Sequence, residues 1–276
     1  MIKRTVIRRA SVIMVMMLLS TSCSGPRSAQ DWFDLTWAGL AGSDTLSFKG
    51  TTVLLKADQL QPEGSVAFSG ELQNHQVLTL TADSPAKTEN SNLKTAEAKS
   101  QRSLATFHLK GRRWVALSEN QGMSVSQPLT RINPLAQLEE IHDTKSKTIR
   151  LESGAARGTK VLRVELAPEE AKMLLRRQLN DEMNIVLSNY SRDSQLLQLS
   201  PSARTALNRE VQNLWSQRNR KMSEKLDRAE VGTVYHLTVD KRTGLPIRLT
   251  SNNKISFPGN SNLNKPETLV TDCSFK

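Results

Sequence analysis

Aromatic residues are scarce in this chain: six Phe, four Trp and two Tyr among 276 residues. Cysteine is scarcer still, with only Cys23 and Cys273, which excludes a disulfide-stapled scaffold. The four histidines, His75, His108, His142 and His236, are scattered, and none stands at ligand spacing from another His or from a Cys. The sequence contains no G-x-S-x-G, H-E-x-x-H, Walker or G-x-G-x-x-G pattern, so the enzyme classes that depend on those motifs are not indicated. The acidic pairs Glu139-Glu140 and Glu169-Glu170 sit at adjacent helical positions, where side chains diverge instead of converging on a substrate. We therefore expect no enzyme, no cofactor and no metal. A long hydrophobic run is also missing. The apolar stretch Ala10 to Leu19 has ten residues, against the roughly 20 that a membrane-spanning helix needs.

That short run is nevertheless informative in its setting. Lys3, Arg4, Arg8 and Arg9 precede it, and Leu19-Ser20-Thr21-Ser22-Cys23 follows. A basic segment, a short apolar segment and small residues before a cysteine make up an export signal. The small residues directly before Cys23 resemble the lipobox of bacterial lipoproteins, although Ser20 stands where that motif usually has Leu. The resemblance implies cleavage before Cys23, lipidation of Cys23, and anchoring at the extracytoplasmic face of a bacterial cell membrane. A plain secretory signal cleaved nearby is the alternative. Residues 1–22 then form the signal peptide, 23–30 a short tether and 31–276 the folded body. Loss of the four positive charges in residues 1–22 lowers the formal net charge from +11 to +7. A modest positive excess suits a protein held near anionic headgroups or an anionic wall. The basic residues are interleaved with acids and accompany no nucleic-acid motif, so no nucleic-acid partner is expected. With Cys23 modified, Cys273 has no partner and reads as a buried, inert thiol. A Cys23–Cys273 disulfide stays open only if lipidation fails.

Periodicity predicts an α+β body. Trp32, Phe33, Thr36, Trp37 and Leu40 fall at helical spacing, and this aromatic-rich helix either docks on a sheet or plugs a cavity. Alternating residues then predict strands: Leu46, Phe48, Gly50, Thr52 and Leu54 on one face, and Val66, Phe68, Gly70 and Leu72 on another. Val77–Ala82, Ala105–Leu109 and Trp114–Leu117 continue the series. Residues 83–102 are polar, with Leu93 their only large apolar side chain, and read as a mobile loop. Asn133-Pro134 opens a helix through His142, with Asn as N-cap and Pro at the first position. Strands at 147–152 and 160–166 follow. Residues 168–228 predict a helical hairpin, one helix striped by Ala171, Leu175, Leu179, Met183, Val186 and Tyr190, the other by Ala203, Leu207, Val211, Leu214, Trp215, Met222 and Leu226. Leu175, Leu179, Leu207 and Leu214 are expected to be protected from solvent. Strands at 231–240, 245–257 and 267–275 complete the chain.

The aromatic helix leading into Leu46–Thr51, the strand meander, the helix at Asn133–Leu138 and the late hairpin Tyr235–Pro246 resemble the LolA/LolB/LppX-like lipoprotein-carrier superfamily. The segment Asp240-Lys241-Arg242-Thr243-Gly244-Leu245-Pro246 is the most telling, since strands in that group often end in Asp-Lys-x-Thr-Gly-Leu-Pro. The resemblance implies a strongly curved antiparallel sheet, an open half-barrel, wrapped around helices with a greasy cavity between them. The hairpin at 168–228 is a departure from compact members. Two functions follow: binding of a long apolar ligand (a lipid, acyl chain or lipopeptide) against a face built from Phe48, Phe68, Phe107, Trp32 and Trp37, or a non-carrier envelope scaffold or regulatory role in which the hairpin contacts a protein partner.

The anchor is directly testable. Cys23→Ser should move the protein from the detergent-extracted membrane fraction to the soluble fraction, because the two acyl chains of a bacterial lipoprotein supply the stable part of the attachment. Identical partitioning of wild type and variant would exclude lipidation at Cys23.

Overall fold

The computed structural model describes residues 28–57, 59–84, 101–111, 113–116, 129–191, 198–258 and 265–276. Cys23, the signal segment and most of the 83–102 stretch lie outside the described residues. The elements are α1 (Ala29–Ala41), β1 (Thr45–Lys56), β2 (Gln59–Gln73), β3 (Val77–Ser84), β4 (Gln101–Lys110) and β5 (Arg113–Ala116), then α2 (Leu129–Ile132), α3 (Pro134–Asp143), β6 (Lys147–Leu151) and β7 (Thr159–Leu166). The helices α4 (Pro168–Ser191) and α5 (Pro201–Arg228) precede β8 (Glu230–Asp240), β9 (Pro246–Ser256) and β10 (Glu267–Phe275). All of these elements lie C-terminal to residue 27, so the chain from residue 24 onward carries the whole described fold.

Ten strands form one antiparallel sheet in the order β5-β4-β3-β2-β1-β10-β9-β8-β7-β6. Two five-stranded meanders are thus joined by β1 and β10, which pair from Phe48↔Phe275 to Lys56↔Glu267. The sheet does not close. Its two ends nevertheless come to one helix pair: α3 touches β5, α1 touches β6, and Trp37 of α1 stacks on His142 of α3 with ring centroids 4.6 Å apart. This is the curved, open sheet around helices that the family resemblance implies. Its edge strands are short, four residues in β5 and five in β6, which limits the unpaired backbone open to association with another chain.

Local sequence explains the helix starts. Ser28 and Asp31 form a capping box, so α1 begins at Ala29, two residues earlier than the aromatic periodicity alone suggests. Asn133 caps α3 by accepting from the N–H groups of Leu135 and Ala136, with Pro134 at the first position. Trp32, Phe33, Thr36 and Leu40 of α1 and Leu135, Leu138 and Ile141 of α3 are buried. They meet Leu78, Leu80, Phe107, Leu162, Val164, Leu237, Val239 and Leu249 from the sheet in one apolar core.

Two glycines shape the middle of the sheet. Phe48 pairs with Gly70 and Gly50 pairs with Phe68, so each ring lies over the glycine of the neighbouring strand. A Cβ on Gly70 would come within 2.3 Å of the Phe48 ring, and one on Gly50 within 2.6 Å of Phe68 and 2.3 Å of the Asp272 carbonyl oxygen. At the β8–β9 turn, Asp240 Oδ1 accepts from the N–H groups of Arg242 and Thr243 at 2.7 and 3.0 Å. Gly244 there has φ +74°, and a Cβ would meet Leu35 of α1 at 2.8 Å. The Asp-Lys-x-Thr-Gly-Leu-Pro pattern is therefore a self-capped turn on which α1 rests.

Three expectations need correction. The loop expected over 83–102 is narrower, because Asp83 and Ser84 extend β3, Gln101 and Arg102 extend β4, and Asp83 pairs with Arg102. The hairpin helices stand where the pattern places them, but Leu214 is 52% exposed. Only Leu226 of α5 is fully buried, while Leu207, Val211, Trp215 and Met222 are half-buried along one side. Leu175 and Leu179 on α4 are half-buried, and Ala171 and Leu174 carry its buried contact. The physical reason is that α5 packs by its C-terminal end, where Asp227 accepts from Arg176 at 2.5 Å, and not along its whole length against the sheet.

Gly50→Ala and Gly70→Ala should each lower unfolding free energy by about 3 kcal/mol, the scale of overpacking a filled core. Phe48→Leu in the same chain should recover part of the Gly70→Ala loss and none of the Gly50→Ala loss, since the latter meets backbone. Urea unfolding of the four variants measures this, and equal recovery in both would mean the rings do not cover the glycines as described.

Candidate functional site

The central strands are filled at one end and hollow at the other. Phe48, Phe68 and Phe275 form an edge-to-face cluster, with centroids 6.4 Å apart for Phe48–Phe68 and 6.2 Å for Phe48–Phe275. Six residues further along β1 and six residues back along β10, Leu54 and Leu269 border a cavity of about 290 Å³. Its apolar wall continues through Val231 and Ile255 of β8 and β9 to Ala171, Leu174 and Leu175 of α4, which covers it. Among the described residues Tyr235 is the aromatic side chain on its wall. Thr233, Asn253, Lys254 and Glu267 of the same strands also line the hollow, so its sheet side is mixed in polarity.

The residues expected to face a ligand are placed as follows. Phe48, Phe68, Phe107 and Trp32 are all under 10% exposed and belong to the packed core, and Trp37 is half-buried against His142. None of the five borders the cavity. Cys23 lies outside the described residues. Cys273 is buried opposite Gly50, and burial pushes its thiol up to about 12, consistent with an inert side chain.

A polar rim, not expected from sequence, stands where α2, α3 and α4 meet. Arg131 and Glu182 form an ion pair, with Nη2 donating to Oε2 at 2.9 Å and Nε in close charge contact with Oε1 without hydrogen-bond geometry. Gln137 donates to the Arg131 carbonyl at 2.6 Å. Gln178 donates to both oxygens of Glu140 at 3.2 and 3.1 Å, and Arg177 approaches the same carboxylate at 4.0 Å. Burial pushes Glu140 up to about 7, with Gln178 and Arg177 opposing the shift and Asp181 adding to it. Burial likewise raises Glu182, and Arg131 opposes it. The Tyr235 hydroxyl is raised by burial and then by the charge of Glu140. One sign of this rim was available in the sequence: Gln178 and Glu182 interrupt the otherwise apolar stripe begun by Ala171, Leu174 and Leu175 on α4.

A second, open depression adjoins the cavity and shares Val231 and Lys254 with it. Pro168 and Lys172 of α4, Ala229 and Gly232 line its other sides. A Cβ on Gly232 would meet nothing within 4 Å, so the floor is clear. Among the described residues, no group of three or more His, Cys, Asp or Glu side chains gathers to hold a metal ion, and no helix is long and apolar enough to cross a membrane.

No family model matches the chain, and no curated protein matches it. Among solved structures it is similar in outline to LprF from Mycobacterium bovis, at 9% identity and TM-score 0.36 over 90% of this chain and 91% of that one. A DUF1329 family protein from Desulfovibrio piger follows, at 8% identity and TM-score 0.26 over 91% of this chain and 93% of that one.

The raised Glu140 gives a pH signature. The folded state keeps this proton to about pH 7, whereas the unfolded chain releases it near the ordinary value of 4.5. Stability from this group is therefore full below that ordinary value and is lost as pH rises through the folded one. Glu140→Gln keeps an acceptor for Gln178 and should remove that fall, making the variant about 1–3 kcal/mol more stable than wild type at pH 8 and nearly equal to it at pH 4. Urea unfolding at both pH values tests it. A stability difference that does not change with pH would place the Glu140 carboxyl in water.

Proposed function

We propose that this protein is a membrane-anchored lipoprotein of a bacterial envelope that holds one apolar chain of a lipid or lipopeptide in the cavity between the sheet and α4. The observation that supports this reading most is the cavity itself, about 290 Å³, in which Leu54, Leu174, Leu175, Val231, Ile255 and Leu269 form an apolar patch bordered by polar side chains from both the helices and the strands. That volume stands at the small end of ligand sites, roughly 300–1,000 Å³, and suits a single chain. Each methylene moved from water is worth ~0.8 kcal/mol, so about ten carbons offset several kcal/mol of association cost. The ligand wall in this reading is Leu54, Leu175, Val231, Ile255 and Leu269. The Phe48, Phe68 and Phe107 set supplies the packed remainder of the concave face. The export signal and the lipobox-like Cys23 supply the location, and the carrier-superfamily resemblance of the β8–β9 segment agrees with the ligand class.

A second reading, a scaffold acting through protein contacts of the hairpin, is favoured by the exposure of Met173 and Leu214, 58% and 52%. Native mass spectrometry of residues 24–276 and titration with fluorescent fatty acids of increasing chain length separate the two. The carrier reading expects co-purifying lipid, micromolar binding that tightens with chain length, and at least tenfold weakening in Leu175→Trp or Leu269→Trp, each of which fills the cavity. Phe107→Leu, away from the cavity, should leave affinity unchanged. Absence of both lipid and fatty-acid binding at micromolar concentration would sink the carrier reading and leave the scaffold one.

A further inference from the structure

The long helix α5 carries seven Lys and Arg residues against three Asp and Glu. Its acids are largely engaged: Glu224 accepts from Arg220 at 3.0 Å, and Asp227 accepts from Arg176 of α4 at 2.5 Å. Arg218, Lys221, Lys225 and Arg228 are different. All four are exposed, and none has an ion-pair or hydrogen-bond partner among the described residues. Their spacing of three and four residues, begun by the exposed Leu214, places all five side chains on one flank of the helix. At 1.5 Å per residue the flank runs about 21 Å. Two acids neighbour its line: Glu210, one turn before Leu214 and beyond the cationic segment, and Glu224, three residues after Lys221 and four before Arg228, which is held by Arg220.

The position of this flank is as informative as its charge. Arg228 ends it, and the next residue, Ala229, already lines the open depression that shares Val231 and Lys254 with the cavity. Lys172 and Lys254 add two cations there, facing Glu169 and Glu230. The basic flank therefore leads down α5 to the opening beside the cavity.

We propose that Leu214, Arg218, Lys221, Lys225 and Arg228 form a docking face for an anionic phospholipid bilayer, which lays α5 along the headgroups and brings the depression beside the cavity against the lipid surface. The inference deepens the carrier reading by giving the cavity a direction of loading. Charge complementarity argues for the occupant: four unpaired cations in a row meet a surface of fixed negative charge, and Leu214 offers one apolar contact at the end of the row. A lone row of cations on a hydrated helix would stay solvated in front of a neutral surface, so the discrimination should be by lipid charge.

Co-sedimentation of residues 24–276 with vesicles tests this. Phosphatidylcholine vesicles containing 30% phosphatidylglycerol should bind the protein at low salt, pure phosphatidylcholine should not, and binding should weaken steeply between about 50 and 300 mM salt as the charges are screened. Reversal of the four cations to Glu should weaken binding by roughly a hundredfold or more, since each basic residue near an anionic surface is worth about fivefold. Reversal of Lys145, Arg150, Arg157 and Lys241, exposed on other elements, makes the same change in net charge and should cost less than tenfold. Equal loss in both quartets would reduce the effect to net charge, and binding to pure phosphatidylcholine or no binding to either vesicle would overturn the docking face. Fatty-acid binding by the soluble α5 variant, measured without vesicles, should equal wild type. Its absence in both proteins alongside intact vesicle docking would fault the cavity and not the face.

Discussion

The pairing of β1 with β10 holds the molecule together. These strands lie more than two hundred residues apart in sequence, yet they form the centre of the sheet and join the two meanders. The filled core, the hollow and the placement of both follow from their register. Phe48 opposite Phe275 gathers rings at one end, while Leu54 opposite Leu269 leaves aliphatic side chains at the other. Gly50 opposite Cys273 sits between them, where the backbone of β10 comes too close for any side chain on β1. A contact of this separation carries a large loop-closure cost before it returns any burial, so formation of the sheet centre is expected to be late in folding.

The helical hairpin enters between β7 and β8, two strands that pair directly, and so it interrupts nothing in the sheet. Its first helix serves the body: Ala171 and Leu174 bury against the core, and Leu175 and Gln178 border the cavity. Its second helix contributes little to the core and much to the surface. The same insertion therefore covers a hollow on one side and presents a charged flank on the other.

Most of the fold was legible in the sequence because its signals are local. Period-two alternation located β1, β8 and β10 almost to the residue, and Asn133-Pro134 marked the start of α3 through a cap and a fixed φ. The Ser28–Asp31 box was equally local and was obscured by the aromatic spacing behind it. Leu214 was misplaced because its helical position matches the half-buried stripe to within one turn, and only tertiary packing shows that α5 leaves that flank uncovered. A cavity between sheet and helices was implied by the family resemblance alone; its position and lining were not legible in the residues. It is defined by missing volume, and no residue announces a gap; Phe48, Phe68 and Phe107 drew attention for their size, which is why they fill space instead of lining it. Glu140 reads from sequence only as one of two diverging acids, and its burial beside Gln178 and Arg177 depends on residues supplied by α4.

The capping box at Ser28 also fixes a length. With α1 ordered from Ala29, a lipid on Cys23 would leave five residues between anchor and body, which reach at most about 18 Å when fully extended. A tether that short turns docking of the body on its own membrane into an intramolecular event, with an effective concentration in the millimolar range. An α5 face lying within that reach of the anchored surface would then be engaged even with only weak affinity for free vesicles, and modest changes in surface charge would be enough to lift it off.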